Sequence, residues 1–160
     1  MKMLPQFELM VIKDVPVYNL HSYSKFMTSM NFWDRVKGYD KVLIFQSDSE
    51  ILRGGIEEFF DWDYCGAPWQ FQECGGNGGI SLRSVDVMTK IVKSLQWSPQ
   101  LGYEDVYFSN AMCDAGMNIA PRDICKKFSC ETIFELGTWA AHAIDKHLTP
   151  QQCKQIRSQY

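Results

Sequence analysis

Residues 74–88 read CGGNGGISLRSVDVM, and this stretch decides the expected fold class. Four glycines in six residues come first, and Ile80–Arg83 then reads as a strand. Ser84 is the predicted N-cap of a following helix, because a serine side chain accepts hydrogen bonds from the free backbone N–H groups at a helix start. The apolar residues after it recur three, four and three positions apart, which places them on one helical face: Val85, Met88, Val92 and Leu95.

On the N-terminal side of this stretch, Val42–Phe45 is a continuous apolar run that stops at the polar residues 46–50. Such a run predicts a strand buried on both faces, as in parallel or mixed α/β sheets. A further strand is predicted at Phe7–Ile12. Between the two strands, Ser22 or Ser24 is expected to cap a helix that carries four apolar residues at helical spacing: Phe26, Met27, Met30 and Trp33.

The remaining sequence continues the alternation of strands and helices, which favours the α/β class. Helices are predicted at Ile56–Phe60, at Glu104–Cys113 and from Pro150, where Thr149–Gln152 has the form of a capping box. Strands are predicted at Tyr64–Trp69 (an edge strand), Asn118–Ala120 and Lys127–Phe134. At 160 residues, the chain is expected to form one domain spanning residues 1–160.

Composition excludes several classes of function. Lys and Arg number 16 against 19 Asp and Glu, a net charge of -3 without a basic block, so nucleic-acid binding is disfavoured. No apolar run is long enough for a membrane span or a signal-peptide core, so we expect a soluble, cytoplasmic protein. The six cysteines include no Cys-x-x-Cys pair and are predicted to be free thiols rather than a zinc site.

Two acidic pairs are candidates for chemistry. Asp48 and Glu50 follow a predicted strand, and their oxygens are the hard ligands that Mg²⁺ and Mn²⁺ prefer. A solvated turn is the alternative interpretation of this segment. Glu104 and Asp105 begin a predicted helix, where one could act as a general base, or both could simply be favoured by the helix dipole.

The glycine-rich stretch is the third candidate. Gly76, Asn77, Gly78 and Gly79 would let the backbone approach a ligand closely. No Gly-Lys-Ser/Thr follows, and Ser81 stands where a dinucleotide fingerprint needs its last glycine, so the stretch is neither a P-loop nor that fingerprint. A mobile hairpin loop is the alternative.

Three isolated side chains complete the candidates. His142, one of three histidines, could be a ligand or an ordinary buried histidine. Arg83 could pair with phosphate oxygens or be a surface cation. Trp69 could stack on a sugar ring or belong to the core.

Taken together and in order, the candidate segments resemble an uncharacterised family of GT-A-type glycosyltransferase domains from giant viruses and various microbes. The resemblance covers about residues 8–145. It rests on VLIFQSDS (42–49), DYCGAPW (63–69), GNGGISLRS (76–84), YEDVYF (103–108), FSCE (128–131) and His142.

This resemblance implies a role for each candidate. Asp48 would stand at the metal and diphosphate position, with Glu50 in place of the usual second Asp. His142 would help to hold the metal or the diphosphate. Asp105, or with less support Glu104, would be the base of an inverting transfer.

The resemblance also implies a substrate cleft, a cofactor and partners. Residues 76–83 and Trp69 would line the cleft for donor sugar and acceptor. The implied cofactor is Mn²⁺ or Mg²⁺. The donor would be a nucleoside-diphosphate sugar, the acceptor a glycan or another hydroxyl compound, and the location host cytoplasm or virion if the source is viral.

The expected fold is therefore α/β, a GT-A-like mixed sheet flanked by helices. It would be shortened at the N-terminus, because only 47 residues precede Asp48. The alternatives are a degenerate sugar- or nucleotide-binding module, and a subunit completed at an open sheet edge by a partner chain or a second copy. Metal-dependent phosphodiester hydrolysis is a more distant alternative. The transferase hypothesis requires Asp48, Asp105 and His142 to share one cleft.

Overall fold

The computed structural model describes residues 7–159, which form a mixed α/β structure with two three-stranded sheets flanked by helices. The strands are β1 (Lys41–Phe45), β2 (Ser49–Ile51), β3 (Tyr64–Gly66), β4 (Ile80–Ser84), β5 (Ser129–Cys130) and β6 (Ala140–His142). The helices are α1 (Leu20–Met27), α2 (Met30–Trp33), α3 (Val85–Ser94), α4 (Glu104–Asp114), α5 (Arg122–Phe128), α6 (Ile144–His147) and α7 (Pro150–Arg157). Short 3₁₀ turns lie at Ile56–Phe59 and Pro99–Leu101.

The first sheet has β4 at its centre, between β1 and β3, and both pairings are antiparallel. β4 is buried on both faces, with Ile80 and Leu82 on one and Ser81 and Arg83 on the other. β1 lies at the edge and is only half-buried. The prediction that the Val42–Phe45 run is buried on both faces is therefore wrong, since the central position belongs to β4.

The second sheet brings two distant parts of the chain together. β6 lies between β2, to which it is antiparallel, and β5, to which it is parallel. Ser49 is the register partner of His142, and the Ala143 N–H donates to the Asp48 carbonyl oxygen at 2.9 Å. These contacts fix residue 48 beside residue 142.

The helices predicted from capping and periodicity are largely confirmed. α3 and α4 begin where expected, and α7 begins with the predicted Thr149–Gln152 capping box. The Ser84 side chain makes no capping hydrogen bond, however, and α3 ends at Ser94, so the prediction that Leu95 lies on its apolar face is wrong. The first helix begins earlier than expected, because Asn19 is its cap and Ser22 is the third residue of a capping box. It also ends at Met27, and Ser29 starts a separate helix, α2.

Two of the predicted strands are wrong and one is reduced to a single bridge. Phe7–Ile12 has no strand structure, and Leu9 and Val11 are exposed, although Ile12 is partly buried against the core. Most of Lys127–Phe134 is the end of α5 followed by the two-residue β5 and bends. Residues 118–120 contribute only a bridge from Ile119 to Tyr64.

The cysteines also differ from expectation. Cys74 and Cys113 form a disulfide that joins the start of the glycine-rich loop to α4, so the prediction of free thiols is wrong for this pair. The free cysteines, Cys65, Cys125, Cys130 and Cys153, are buried. Among residues 7–159, no helix is both long enough and apolar enough to span a membrane.

Candidate functional site

A cleft of about 280 Å³ opens where the glycine-rich loop meets the start of α4 and the end of β6. Asp48, Asp105 and His142 all line it, as the transferase hypothesis requires. Asn77, Gly79 and Glu104, also singled out from the sequence, border the same cleft. The sequence candidates thus converge from the turn after β1, the glycine-rich loop, α4 and β6.

His142 is held in one orientation by Glu131. Its Nδ1 lies 3.0 Å from Glu131 Oε1, and because a carboxylate only accepts hydrogen bonds, Nδ1 carries the proton. Nε2 lies 3.2 Å from Asp48 Oδ1, but it is not aligned for a hydrogen bond and has no hydrogen-bond partner among the described residues. The side chain is more than nine-tenths buried, so this nitrogen is a buried polar atom that faces a carboxylate without a hydrogen bond.

Asp48 lies between two nitrogen groups. Its Oδ2 accepts a hydrogen bond from Lys146 Nζ at 2.6 Å, while Oδ1 faces His142. The Lys146 hydrogen bond holds the pKa of Asp48 below its ordinary value, and partial burial opposes this effect. Asp48 is therefore ionised across the neutral pH range, and about a third of its side chain is exposed to solvent in the cleft.

Asp105 is a half-buried carboxylate that lines the same cleft next to Gly78. Its Oδ2 accepts from the Gly78 N–H at 3.1 Å and its Oδ1 from the Val106 N–H at 2.9 Å. No Lys, Arg or His side chain forms a salt bridge with it in residues 7–159. Asp105 is thus oriented by backbone donors while its charge is not neutralised by a cation.

Arg83 and Glu104 form a buried ion pair beside the cleft. The guanidinium donates two hydrogen bonds to the carboxylate and lies over the rings of Tyr64 and Phe108, 5.0 and 5.4 Å from their centroids. Burial raises the pKa of Glu104, and the positive charge of Arg83 opposes that rise.

The ion pair corrects two sequence-based expectations. Arg83 is fully buried, so it is neither a surface cation nor exposed to phosphate. Glu104 is engaged by Arg83, which leaves Asp105 as the better candidate for the base.

The glycine-rich loop packs tightly between these groups. A Cβ atom at Gly79 would overlap the His142 ring, and one at Gly78 would overlap Glu104 Oε1. Gly76 packs on the backbone of Gly66, and the Asn77 side chain accepts from the Gly79 N–H at 2.7 Å. The alternative of a mobile hairpin is not supported, because the glycines are required for close contact.

Other sequence candidates lie outside the cleft. The Glu50 carboxylate accepts hydrogen bonds from Arg157 of α7, so the structure does not place it with Asp48 at one metal site. Trp69 is 4% exposed and stacks on Phe71 at a centroid distance of 5.1 Å, so it is not available as a sugar platform. Gly76 is buried within the loop, where it packs against the backbone of Gly66.

Residues 6–145 match a protein family described as protein of unknown function (DUF5672). The chain belongs to this family. No curated protein and no solved structure matches the sequence. Because the family description states no function, the chemistry of this DUF5672 chain has to be argued from its own site.

Several cleft residues of the DUF5672 chain were missed from the sequence: Tyr23, Ser24, Gln46, Glu131, Lys146 and His147. Gln46 could have been found, because it belongs to the polar stretch, residues 46–50, that follows the predicted strand and contains Asp48. Glu131 and Lys146 carry no local signal. Burial and the nearby Glu104 charge raise the pKa of Tyr23 to about 12, so it is a neutral hydroxyl in the cleft.

The donor set fits a divalent ion only in part. Within residues 7–159, no group of three or more His, Cys, Asp or Glu side chains is placed to hold one metal ion. His142 Nε2 and Asp48 Oδ1 are a pair of suitable donors at 3.2 Å, one of them a buried nitrogen without a hydrogen-bond partner. The protein could therefore supply two ligands, and a substrate would have to supply others.

Proposed function

We propose that this chain is a glycosyltransferase that moves a sugar from a nucleoside-diphosphate sugar to an acceptor hydroxyl. The observation that carries the proposal is that one cleft contains two chemically different groups, one next to Gly79 and one next to Gly78, here called its two ends. At one end, Asp48 lies between the open Nε2 of His142 and the Lys146 ammonium group. At the other end, Asp105 is a carboxylate held by backbone N–H groups.

The first end suits the leaving diphosphate. His142 and Asp48 would hold a Mn²⁺ or Mg²⁺ ion, which supplies neutralisation of the negative charge on the departing diphosphate. Glu131 fixes the imidazole so that Nε2 faces the ligand position. Lys146, two-thirds exposed and already within the cleft, adds a positive charge at the same end.

The second end suits proton removal. Asp105 would accept the proton of the acceptor hydroxyl as that oxygen bonds to the anomeric carbon and the bond from this carbon to the phosphate oxygen breaks. The Gly78 N–H fixes the carboxylate during this step. A single displacement of this kind inverts the anomeric centre.

The arrangement also supports a GT-A-like fold as part of the proposal. In a mixed α/β structure, Asp48 lies in the turn between β1 and β2, and the glycine-rich segment and the start of α4 line the same cleft. In this version of the site, His142 takes the second ligand position that the sequence assigned to Glu50.

One observation favours a second candidate, a sugar- or nucleotide-binding module without turnover. Lys146 already neutralises Asp48 at 2.6 Å, and a diphosphate could be held by such cations alone. Binding without release of nucleoside diphosphate would identify this function.

The test of the transferase proposal is a turnover measurement on purified wild type, Asp105→Asn and Asp114→Asn. A panel of nucleoside-diphosphate sugars with Mn²⁺ is followed by release of nucleoside diphosphate, with and without saccharide acceptors. Loss of a general base lowers turnover about 10²- to 10⁴-fold, so we expect this decrease in Asp105→Asn with donor binding retained. Asp114→Asn, an exposed position at the other end of α4, should behave as wild type.

Two outcomes would contradict the proposal. Wild type that binds a donor but never releases nucleoside diphosphate would favour the binding module. Full activity in Asp105→Asn would remove the base from the mechanism.

A further inference from the structure

A second groove of about 650 Å³ lies directly beside the cleft. It is formed by the start of α1 and the loop before α4, and its walls include Leu20, His21, Trp97, Pro99, Gly102 and Tyr103. Leu20 and Tyr103 border both the groove and the cleft. The two cavities are therefore adjacent.

The aromatic wall of this groove is held in place. Trp97 is half-buried against the core that contains α3 and α4, and its Nε1–H donates to the Gly102 carbonyl oxygen at 3.0 Å. The His21 ring meets the Trp97 ring edge-on at a centroid distance of 5.2 Å. Gly102 has a φ of +83° and packs against Val106, which fixes the turn that leads into α4.

The two cavities differ in charge. None of the residues lining the groove is Asp, Glu, Lys or Arg, whereas the cleft contains Asp48, Asp105 and Lys146. Leu20 and Tyr103 are 58% and 54% exposed, which leaves apolar surface open at the junction. A groove of this kind suits an uncharged ligand with apolar faces rather than a diphosphate.

The position of the groove indicates which substrate it serves. It meets the cleft at Leu20 and Tyr103, and Tyr103 lies two residues before Asp105, although none of Asp48, Asp105, His142 and Lys146 lines the groove itself. A ligand that extends from the groove past Tyr103 would therefore enter the cleft at the start of α4, where Asp105 lies.

We infer that this groove binds the acceptor, and that the acceptor is a neutral saccharide whose pyranose ring packs against Tyr103 and Trp97 with a hydroxyl directed to Asp105. Calling this saccharide the acceptor rests on the proposed transferase function. The saccharide site itself can be tested without turnover. Pyranose rings combine apolar C–H faces with hydroxyl edges, so an aromatic wall open to water fits them.

The experiment is saturation-transfer NMR with the methyl glycosides of glucose, galactose, mannose and N-acetylglucosamine. Uridine, guanosine and thymidine are measured in parallel. Wild type should give signal from at least one glycoside, and Tyr103→Ala should weaken it about tenfold through loss of an aromatic contact. Tyr39→Ala is the matched control, because Tyr39 is a 41% exposed tyrosine that lines neither cavity.

A second variant separates the groove from the cleft, since Tyr103 borders both. His21 is exposed and lines only the groove, so His21→Ala should also weaken the glycoside signal and leave nucleotide binding by calorimetry unchanged. Asp48→Ala should have the opposite pattern.

Three results would overturn the inference. The first is that no glycoside gives a signal. The second is that the glycoside signal persists in both Tyr103→Ala and His21→Ala. The third is that nucleosides give a signal that both variants lose, which would assign the groove to the base of the donor. If glycosides bind in the groove but no donor turns over, the inference stands as a saccharide site and the transferase proposal fails. If turnover occurs with glycoside binding unaffected by the groove variants, the transferase proposal stands and the inference fails.

Discussion

Two charged regions lie on either side of the glycine-rich loop. They differ in how completely their polar groups are buried and paired, and we call the fully paired region closed and the other open. On the Gly78 side, Arg83 and Glu104 are buried, and each satisfies the other with two hydrogen bonds. On the Gly79 side, His142 leaves Nε2 without a hydrogen-bond partner among the described residues, and Asp48 is a third exposed. Gly78 therefore contacts the closed ion pair together with Asp105, whereas Gly79 contacts the open His142.

This difference distinguishes residues that stabilise the fold from residues that can bind a ligand. A buried ion pair whose two charges are paired with each other can hold the loop and the start of α4, and its charges are not available to a ligand without breaking the pair. A buried imidazole nitrogen without a hydrogen bond lowers the stability of the fold unless a ligand binds it, and here it lies beside a carboxylate that is a third exposed. We therefore assign the Arg83–Glu104 pair to the scaffold and the Asp48–His142 pair to the site.

The largest effect is expected from breaking the closed pair. Arg83→Met leaves the Glu104 carboxylate buried without a partner, and such a change costs about 3–5 kcal/mol of folding free energy. Denaturant unfolding of the purified variant measures this loss. Replacing both residues, as Arg83→Met with Glu104→Leu, should restore much of it, because no buried charge remains.

The matched control is Arg35→Met, which removes a partly exposed guanidinium paired with the more exposed Asp14. It should change stability only slightly. Equal losses in Arg83→Met and Arg35→Met would show that the buried pair does not support the scaffold.

The disulfide strengthens the closed side of the loop. Cys74 and Cys113 are 39 residues apart in sequence, and removing a crosslink of this length costs about 2–4 kcal/mol. Cys74→Ser with Cys113→Ser should lower the free energy of unfolding by this amount. A reducing agent should lower the wild-type stability in the same way and leave the double variant unchanged. A wild type insensitive to reduction would contradict the crosslink.

The two adjacent glycines test the comparison most finely. Gly78→Ala pushes on the buried Arg83–Glu104 pair and should cost about 1–3 kcal/mol of stability, as overpacking does. Gly79→Ala pushes on the His142 ring and should impair metal-dependent donor binding more than stability. Gly54→Ala is the control, because no atom of residues 7–159 lies within 4 Å of the added Cβ. Indistinguishable effects of the two loop variants would remove the contrast between the two regions.

The smallest effect is expected at the residue that orients His142. Glu131→Gln keeps the size of the side chain but weakens its hold on the imidazole, and changes of this kind lower metal affinity about 10- to 100-fold. Mn²⁺ titration in the presence of nucleoside diphosphate measures the shift. Unchanged Mn²⁺ affinity would mean that His142 Nε2 is not a ligand.

The sequence predicted those elements whose signals are local. The helix after Ser84, the α4 start at Glu104 and the capping box at Thr149 follow from spacing and side-chain chemistry within a few residues. The central strand at Ile80–Arg83 was found for the same reason. β6 and α6 were missed, because Ala140–His142 has no β-branched residue and α6 is only four residues long.

For the site, the sequence named residues but not their surroundings. Asp48, Asp105 and His142 were identified by their order in a resembling family, and the structure brings them to one cleft. The burial of Arg83 and the ion pair between Glu50 and Arg157 depend on contacts between segments that are distant in sequence. No local pattern reports such contacts, so the sequence could not separate these charges from the exposed ones.

The most direct test of the central claim is thermal stabilisation by UDP-, GDP- and dTDP-sugars, with and without Mn²⁺. It is measured on wild type, Asp48→Ala and the control Asp61→Ala, an exposed carboxylate outside the cleft. A ligand that binds only the folded state raises its stability in proportion to the logarithm of its concentration. We expect one donor class to stabilise wild type and Asp61→Ala only when Mn²⁺ is present, and to have no effect on Asp48→Ala. Absence of stabilisation by every donor, or equal stabilisation of Asp48→Ala, would contradict a donor site at Asp48 and His142.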